Sequence, residues 1–245
     1  MKNLKLLFLL LFISLYSQAQ QHDIESVLSK MPDVTFEKLS EAEGYNIIEL
    51  RIKQAIDHAD TTKGFFRQKV YLSHKSFDNP TVMVTEGYTA HRTNLYELTE
   101  LLDANQIRVE HRYFGASMPD SLDYRYLNLK QATGDLHRIK QLFKDVYPEK
   151  WVSTGISKGG ATAIFYRYFY PNDIDVSVPY VAPINTAYEE HRIYTFLDSV
   201  GTEACRNKIK EFQIRVLENR DEIIPYIKYF SMGAGANYNY LSLNK

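Results

Sequence analysis

A serine flanked by glycines is the feature of this sequence best suited to covalent chemistry. Residues 155–160 read Gly-Ile-Ser-Lys-Gly-Gly and place Ser157 in a G-x-S-x-G pattern. An apolar stretch that predicts a strand ends at Thr154, and a pattern typical of a helix begins at Ala161. A serine on a tight turn between a strand and a helix is the setting of a nucleophile elbow, which exposes the hydroxyl above a sheet. The sequence therefore predicts that Ser157 is a nucleophile.

The glycines around Ser157 fit this interpretation. The serine of such a turn has a strained backbone, so Gly155 and Gly159, two residues away on either side, must lack bulk. Gly160 would let the following helix lie close to the sheet. An ordinary glycine-rich turn or a phosphate loop is the alternative. The sequence contains no G-x-x-x-x-G-K-[ST] pattern, which leaves a Walker-type phosphate site without support.

A nucleophilic serine of this kind needs two backbone N–H groups that stabilise an oxyanion. We expect the first from Lys158, the residue after the nucleophile. The second should come from the loop after an earlier strand, and Thr85–Tyr88 follows a predicted buried strand over residues 81–85. We expect the N–H of Tyr88 to be this donor, with Gly87 as the next choice because glycine permits close backbone approach. An ordinary strand-ending turn is the alternative.

Glu86 lies in the same segment and is a candidate substrate-binding residue. Its carboxylate could bind a cationic group of a substrate, such as a free amino terminus. The alternative is a structural ion pair with a nearby arginine.

The sequence offers no clear proton acceptor for Ser157. In hydrolases with this elbow the triad follows the chain order Ser, acid, His. Six of the seven histidines precede Ser157, and only His191 follows it. His191 lies among charged residues in a pattern typical of a solvent-exposed helix. Asp221 lies late enough to be considered, but no histidine follows it.

The rest of the chain alternates between predicted strands and helices that would position these residues. Strands are expected at 45–56, 64–72, 81–85, 107–111, 151–154 and 176–181, and helices at 95–102, 127–146, 161–170, 188–200 and 206–217. Residues 23–43 predict a helix followed by a loop. Strands separated by helices of this length predict an α/β fold with a mostly parallel sheet covered on both faces. We expect the two earliest strands to be antiparallel additions at one edge.

The composition is that of a globular domain. Of the 245 residues, 44% are hydrophobic and 24% are charged, which is close to the average for folded proteins. The 29 Lys and Arg residues balance 30 Asp and Glu, so there is no electrostatic reason to expect nucleic acid as a partner. Cys205 is the single cysteine, so no disulfide can form within the chain. We expect neither a metal nor a cofactor.

The first nineteen residues predict a secretory signal peptide. Lys2 and Lys5 precede the apolar run Leu6–Leu15, and Ser17-Gln18-Ala19 forms a small-x-small cleavage site. The run is short for a transmembrane helix; an uncleaved N-terminal anchor is the alternative. We expect cleavage after Ala19, a secreted or periplasmic protein, and no membrane association after cleavage.

Several motifs, in order along the chain, resemble those of the secreted bacterial serine aminopeptidases that release tripeptides or tetrapeptides, the tripeptidyl aminopeptidase family. That family is similar in turn to the prolyl carboxypeptidases. The motifs are residues 54–58 (QAIDH), 85–88 (TEGY), 109–115 (VEHRYFG), 155–160 (GISKGG) and 180–185 (YVAPIN).

The resemblance implies an α/β-hydrolase fold and the hydrolysis of a peptide substrate through an acyl-enzyme. It also implies that Ser157 is the nucleophile and that residues 85–88 form the oxyanion segment. Glu110, His111 and Arg112 are expected to brace the loops below the site.

The family's acid and histidine come from loops after the last two core strands, beyond a helical cap. Here the residues after Val181 predict cap helices and a short tail instead. We therefore expect an incomplete hydrolase, with a signal peptide at 1–19, the N-terminal part of the core at 20–185 and the start of a cap at 186–245. A missing reading frame or a second polypeptide would supply the remainder and any partner for Cys205. The chain alone should be nearly inactive.

Two other functions fit the same sequence. One is a secreted esterase or lipase on the same fold. The other is a non-catalytic secreted binding protein that uses a degenerate hydrolase fold.

Overall fold

The computed structural model describes residues 23–91 and 93–236, so the predicted signal peptide lies outside the described residues. The chain divides into two compact units, one ending at Ile184 and the other beginning at Asn185.

The described part of the first unit forms one mixed sheet with helices on both faces. Its seven strands lie in the order β1-β2-β3-β5-β4-β6-β7. The strands are β1 (Val34–Ala42), β2 (Tyr45–Ala55), β3 (Phe65–His74), β4 (Thr81–Thr85), β5 (Asn105–Val109), β6 (Trp151–Ile156) and β7 (Val176–Tyr180), and the helices are α1 (Ile24–Leu28), α2 (Glu97–Leu101), α3 (Leu129–Phe143) and α4 (Lys158–Phe169).

The strand directions account for the mixed character of the sheet. The neighbours β5, β4, β6 and β7 are parallel, whereas β1, β2 and β3 join them through antiparallel pairings. Five strands therefore run in one direction, and β1 and β3 run against them. The serine turn follows β6, and the candidate oxyanion segment follows the adjacent β4. The predicted α/β-hydrolase fold is confirmed.

The centre of the sheet fixes the position of both loops. All five residues of β4 are buried, because β4 lies between two parallel strands and has helices on either face. Met83 packs into the larger core cluster with side chains of α3 and α4. Val82 and Val84 belong to a smaller cluster on the opposite face, against Leu98 of α2. Successive side chains of β4 thus pack on opposite faces of the sheet, and both faces hold the strand in place.

The expectation of a helix and a loop for residues 23–43 is wrong in its second half, where β1 forms. This strand pairs with β2 from Val34 opposite Ile52 to Ala42 opposite Tyr45. Most of its residues are exposed, because it is the outermost strand. Its charged residues therefore hide the alternation that would have predicted a strand. The two strands predicted next, β2 and β3, are antiparallel as expected, but β1 forms the edge.

The second unit is helical in its described part. It contains α5 (His191–Ser199), α6 (Glu203–Glu218) and α7 (Arg220–Gly233). Helix α7 was not predicted; it has Pro225 in its interior, and proline usually indicates a helix end. Cys205 is an exposed, free thiol on α6. No helix in the described part of the chain has the length and apolar character needed to cross a membrane.

A buried arginine joins three segments of the first unit. The guanidinium of Arg112 is fully buried and donates two hydrogen bonds of 2.7 Å to the carboxylate of Asp135 on α3. It also donates to the main-chain oxygens of residues 55, 56 and 126. His58 completes the cluster, with its Nε2 atom 2.8 Å from Asp135 Oδ1. One charge pair therefore joins three segments, namely the end of β2, the loop after β5 and helix α3.

Removing one member of this pair should be strongly destabilising. We expect Asp135→Ala to lower the free energy of unfolding by about 3–5 kcal/mol, because it leaves the Arg112 charge buried without its anion. Urea denaturation followed by circular dichroism measures the change. The matched control is Lys150→Ala, which breaks the exposed ion pair with Asp175 and should have a much smaller effect, because solvent screens that pair. Equal losses in the two variants would contradict the prediction.

Candidate active site

Ser157 lies at the turn between β6 and α4, in the strand–turn–helix arrangement that the sequence predicts. Its φ and ψ angles are 57° and −122°, a combination that residues with a side chain rarely adopt. Its main-chain N–H donates to the carbonyl of Tyr180 at 3.0 Å. Helix α4 begins at the next residue, and Ser157 is exposed. The turn thus presents the hydroxyl to solvent at the carboxyl end of the sheet.

The three glycines around Ser157 are required by close backbone contacts. A Cβ atom at Gly155 would lie 2.6 Å from the carbonyl oxygen of Thr85, and one at Gly159 would lie 2.3 Å from the same oxygen. A Cβ atom at Gly160 would lie 2.7 Å from the carbonyl oxygen of Tyr180. Gly160 therefore lets α4 approach β7, while the other two glycines let the turn approach the end of β4.

The segment after β4 packs directly on the start of α4. The Thr85 hydroxyl lies 2.7 Å from the carbonyl oxygen of Gly159, to which it donates. A Cβ atom at Gly87 would lie 2.6 Å from Lys158 Cβ, so only glycine fits there. The carbonyl of Gly87 accepts a hydrogen bond of 2.7 Å from Lys158 Nζ. The serine turn and the candidate oxyanion segment, which two separate sequence motifs predicted, are therefore in contact.

Both expected oxyanion donors are main-chain groups without an acceptor among the described residues. Lys158 is the first residue of α4, so its N–H is one of those that a helix leaves unused. The N–H of Tyr88 has no acceptor either, whereas the carbonyl of Tyr88 accepts from the N–H of His111 at 3.0 Å. The Gly87 nitrogen also lacks an acceptor, but it lies against Gly159. The oxyanion roles of Lys158, Tyr88 and Gly87 stay predictions.

Glu86 is engaged by its neighbours. Its Oε1 atom accepts from Arg108 Nε at 2.6 Å and from the Tyr96 hydroxyl at 3.3 Å. The Arg108 guanidinium also lies over the Tyr96 ring, 5.3 Å from its centroid. Glu86 therefore forms the structural ion pair that was the alternative to substrate binding. Substrate binding by Glu86 stays a prediction.

An open cavity of about 580 Å³ lies beside the serine turn. One wall is residues 94–98 with Arg108, and the other is the carboxyl ends of β6 and β7 at Ile156, Tyr180 and Val181. Because Ile156 directly precedes Ser157, the cavity opens next to the candidate nucleophile.

Glu110 and His111 brace the loops, as the resemblance implies. The buried carboxylate of Glu110 accepts from the N–H groups of Ala90 and Ala116, at 2.9 and 2.8 Å. It also pairs with Lys69 Nζ at 2.9 Å. The His111 ring packs edge-on against Phe114, and burial lowers its pKa to about 4.

No histidine in the described part of the first unit forms a hydrogen bond with Ser157. Four of them have other partners, namely Asp135 for His58, Tyr147 for His74, the Arg112 carbonyl for His111 and Asp173 for His137. In the second unit His191 is exposed at the start of α5, and Asp221 is exposed in α7. Among the described residues no three His, Cys, Asp or Glu side chains converge as metal ligands.

Sequence reasoning missed the side chain of Lys158 and the pairing of His58 with Asp135. The G-x-S-x-G pattern leaves the residue after serine unrestricted, so it carries no signal about that side chain. His58 and Asp135 are far apart in the sequence, and only the fold brings them together.

A comparison with protein families places the chain in a known group. The sequence profile of the PS-10 peptidase S37 family matches residues 17–244. The chain belongs to this family. The S37 peptidases are serine peptidases, and the chain is therefore classed with the hydrolases.

Two curated proteins show how far the similarity of this S37 chain extends. It is 39% identical to prolyl tri/tetrapeptidyl aminopeptidase of Streptomyces mobaraensis over 208 residues, which is 84% of this chain and 44% of that protein. It is 28% identical to lysosomal Pro-X carboxypeptidase of Bos taurus over 101 residues, 37% of this chain and 20% of that protein. The chain thus spans less than half the length of these relatives.

Solved structures with a similar backbone include acetyl xylan esterase 1 of Thermoanaerobacterium, with a TM-score of 0.45 and 11% identity over 77% of this chain and 64% of that one. Another is the peroxisomal α/β-hydrolase Lpx1 of Saccharomyces cerevisiae, with a TM-score of 0.44 and 11% identity over 60% of this chain and 46% of that one.

A single methyl group should disrupt the contact between the two loops. We expect Gly159→Ala to lower the free energy of unfolding by about 1–3 kcal/mol or more, because its Cβ would meet a main-chain oxygen that cannot move freely. Thermal unfolding followed by circular dichroism measures the effect. The control is Gly233→Ala in α7, where a Cβ has no neighbour within 4 Å. An unchanged melting temperature for Gly159→Ala would contradict the close packing.

Acid should destabilise the first unit through its buried histidines. The pKa values of His74 and His111 are lowered to about 4 by burial, from 6.5. Below pH 6.5 the unfolded chain binds protons that the folded protein does not, so stability falls as the pH decreases towards 4. For His111 the loss between pH 7 and pH 5 should be roughly 2 kcal/mol.

Urea denaturation at both pH values checks this prediction. His111→Gln should reduce the difference in unfolding free energy between pH 7 and pH 5, and the exposed-residue control His91→Gln should leave it unchanged. The same pH dependence in the wild type and in His111→Gln would be the contrary result.

Proposed function

We propose that Ser157 is the nucleophile of a serine aminopeptidase that hydrolyses peptides through an acyl-enzyme. The observation that carries the proposal is an exposed serine with a strained backbone, on a turn that packs against the segment after β4. The turn and the segment each carry an expected main-chain donor, Lys158 N–H and Tyr88 N–H, without an acceptor among the described residues. Membership of the S37 family supports peptides as the substrate class.

The proposed reaction begins with attack by Ser157 Oγ on the carbonyl carbon of the scissile peptide bond. The carbonyl oxygen becomes an oxyanion that accepts hydrogen bonds from the N–H groups of Lys158 and Tyr88. The C–N bond then breaks, the amine leaves with a proton, and the acyl group stays on Ser157. Water hydrolyses this ester and restores the serine hydroxyl.

We further propose that the group that accepts the proton from Ser157 is not provided by this chain. The lack of a hydrogen-bonded histidine in the described part of the first unit supports this, as does the greater length of the curated relatives. An acid and a histidine would then come from a further polypeptide, either a continuation of the reading frame or a second chain. The same polypeptide would supply any partner for Cys205.

We propose that the enzyme releases tripeptides or tetrapeptides from the amino terminus of its peptide substrates. The name of the Streptomyces mobaraensis relative describes this specificity for that protein. The cavity beside Ile156 would take the part of the peptide that becomes the acyl group. We also propose that the protein acts outside the cytoplasm after loss of residues 1–19, on the basis of their signal-peptide pattern.

The chain alone should have little peptidase activity. We expect purified residues 20–245 to hydrolyse tripeptidyl amide substrates at a rate close to that of Ser157→Ala. A triad that lacks its base retains only the contributions of oxyanion and substrate binding, roughly 10³–10⁴-fold over water. Steady-state release of the amine reporter is the measurement. Robust turnover that Ser157→Ala abolishes would overturn the proposal that the base comes from elsewhere.

The nucleophile is tested separately with a fluorophosphonate probe, in the presence of the product of any reading frame that follows residue 245. Labelling that Ser157→Ala abolishes is expected. Absence of labelling would favour the non-catalytic binding protein. Hydrolysis of short acyl esters without hydrolysis of peptides would favour the esterase.

A further inference from the structure

The side chain of Lys158 takes no part in the acyl transfer proposed above, yet its position is closely defined. Its ammonium group is half-buried, and burial lowers its pKa. In the described part of the chain no carboxylate forms an ion pair with it; its one hydrogen bond is the 2.7 Å contact to the carbonyl oxygen of Gly87. A cation removed from water without an anion is unfavourable unless other groups stabilise it.

Two aromatic rings provide that stabilisation. Lys158 Nζ lies 4.9 Å from the ring centroid of Tyr88 and 4.5 Å from that of Phe114. The two rings meet edge to face at 5.3 Å. Such rings attract a cation through the negative charge of their faces. The two rings also shield the ammonium from water on their side. The Gly87 carbonyl is therefore its hydrogen-bond acceptor.

The carbonyl that Lys158 binds and the N–H of Tyr88 belong to the same peptide unit. In a trans peptide the C=O and N–H bonds point in opposite directions within one plane. A donor fixed on the oxygen of Gly87 therefore fixes the direction of the Tyr88 N–H as well. That N–H has no acceptor among the described residues, whereas the carbonyl of Tyr88 is bound by His111.

The same contact makes the N–H a stronger donor. A hydrogen bond from a cation to the carbonyl oxygen draws electron density away from the amide nitrogen. Hydrogen bonds linked in a chain in this way polarise one another and become stronger. The ammonium also adds a positive charge, which pairs with no carboxylate of the described residues.

We propose that Lys158 is a positioning residue for the oxyanion site, whose side chain orients and polarises the Gly87–Tyr88 peptide while its own main chain donates the other hydrogen bond. This inference rests on the proposed function. One residue would then determine both donors, one through its main chain and the other through its side chain.

The test measures affinity for a tripeptidyl boronic acid by isothermal titration calorimetry. The boron atom bonds to the serine oxygen, the hydroxyl proton passes to the buffer, and the tetrahedral boronate places an oxygen in the oxyanion position. Equilibrium affinity does not require turnover, so the chain can be tested as it is. We expect binding to residues 20–245 that Ser157→Ala abolishes.

Lys158→Met removes the charge and the donor but retains the length of the side chain. We expect it to weaken boronate binding about tenfold, less than the roughly 10²–10³-fold effect of deleting an oxyanion donor, because the Tyr88 N–H remains but loses its orientation. Lys158→Arg retains a cationic donor and should recover most of the affinity. Lys158→Gln is the second removal variant if Lys158→Met does not fold.

The matched control is Lys140→Met. Lys140 is also a half-buried lysine whose pKa burial lowers, and its Nζ lies 4.0 Å from the centroid of the Trp151 ring. It lies on α3, away from the serine turn, so Lys140→Met should bind the boronate as the wild type does. A loss in both variants would show a general effect of losing a buried lysine and would overturn the proposal.

Nuclear magnetic resonance gives a readout that a merely structural role would not change. Labelling with ¹³C-carbonyl glycine and ¹⁵N-tyrosine selects Gly–Tyr peptides, of which the sequence has two, at 44–45 and 87–88. The 87–88 amide proton should shift downfield when the boronate binds and should shift less in Lys158→Met. The 44–45 signal serves as the internal reference and should stay constant.

The possible failures are distinguishable. If the wild type binds the boronate neither alone nor with the product of a reading frame that follows residue 245, the proposed function fails, and the role of Lys158 in it fails too. If the wild type binds but Lys158→Met binds equally tightly with the same 87–88 shift, only the role of Lys158 is overturned.

Discussion

The site depends on how closely the main chain after β4 approaches the main chain that begins α4. Thr85 and Gly159 come so near each other that no side chain fits at the glycine, and the Thr85 hydroxyl joins the two by a hydrogen bond. This contact holds the strained turn at Ser157 against the segment that carries the Tyr88 N–H. If β4 and β6 moved apart, Ser157 would lose its exposed position and the two main-chain donors would lose their spacing.

The rest of the first unit keeps these two loops from moving. Glu110 accepts from the N–H of Ala90, in the loop after β4, and from that of Ala116, in its own loop after β5. Arg112 binds Asp135 and three carbonyl groups. Both side chains are buried and fully engaged, so their charges are stable only in this arrangement. The motif that contains them therefore holds the loops next to the serine turn in place.

The sequence predicted the parts of the structure that depend on local pattern. The glycines around Ser157 identified the turn, because each is required by a steric contact that any larger residue would break. The edge strand β1 escaped detection because its exposed residues do not alternate. Pro225 concealed α7 for a similar local reason, since proline is usually found near helix ends.

What the sequence could not predict depends on contacts between distant residues. The partners of Asp135 lie on other segments, and the direction of the Lys158 side chain is set by two rings and a carbonyl from loops elsewhere in the chain. No local pattern encodes such contacts. The choice between substrate binding and ion pairing for Glu86 likewise depended on where Arg108 would lie.

The two borders of the sheet differ in chemical character. The outer strand β1 carries charged residues such as Glu37, Lys38 and Glu41, which discourage another strand from pairing with it. At the opposite border β7 is short and uncharged, Val176 is half exposed, and the apolar residues Tyr180 and Val181 lie uncovered at its end. A further strand would meet charged side chains at β1, whereas at β7 it would meet Pro179, which has no N–H to donate to a new neighbour. The two borders therefore limit the sheet by different means, side-chain charge on one and a missing main-chain donor on the other.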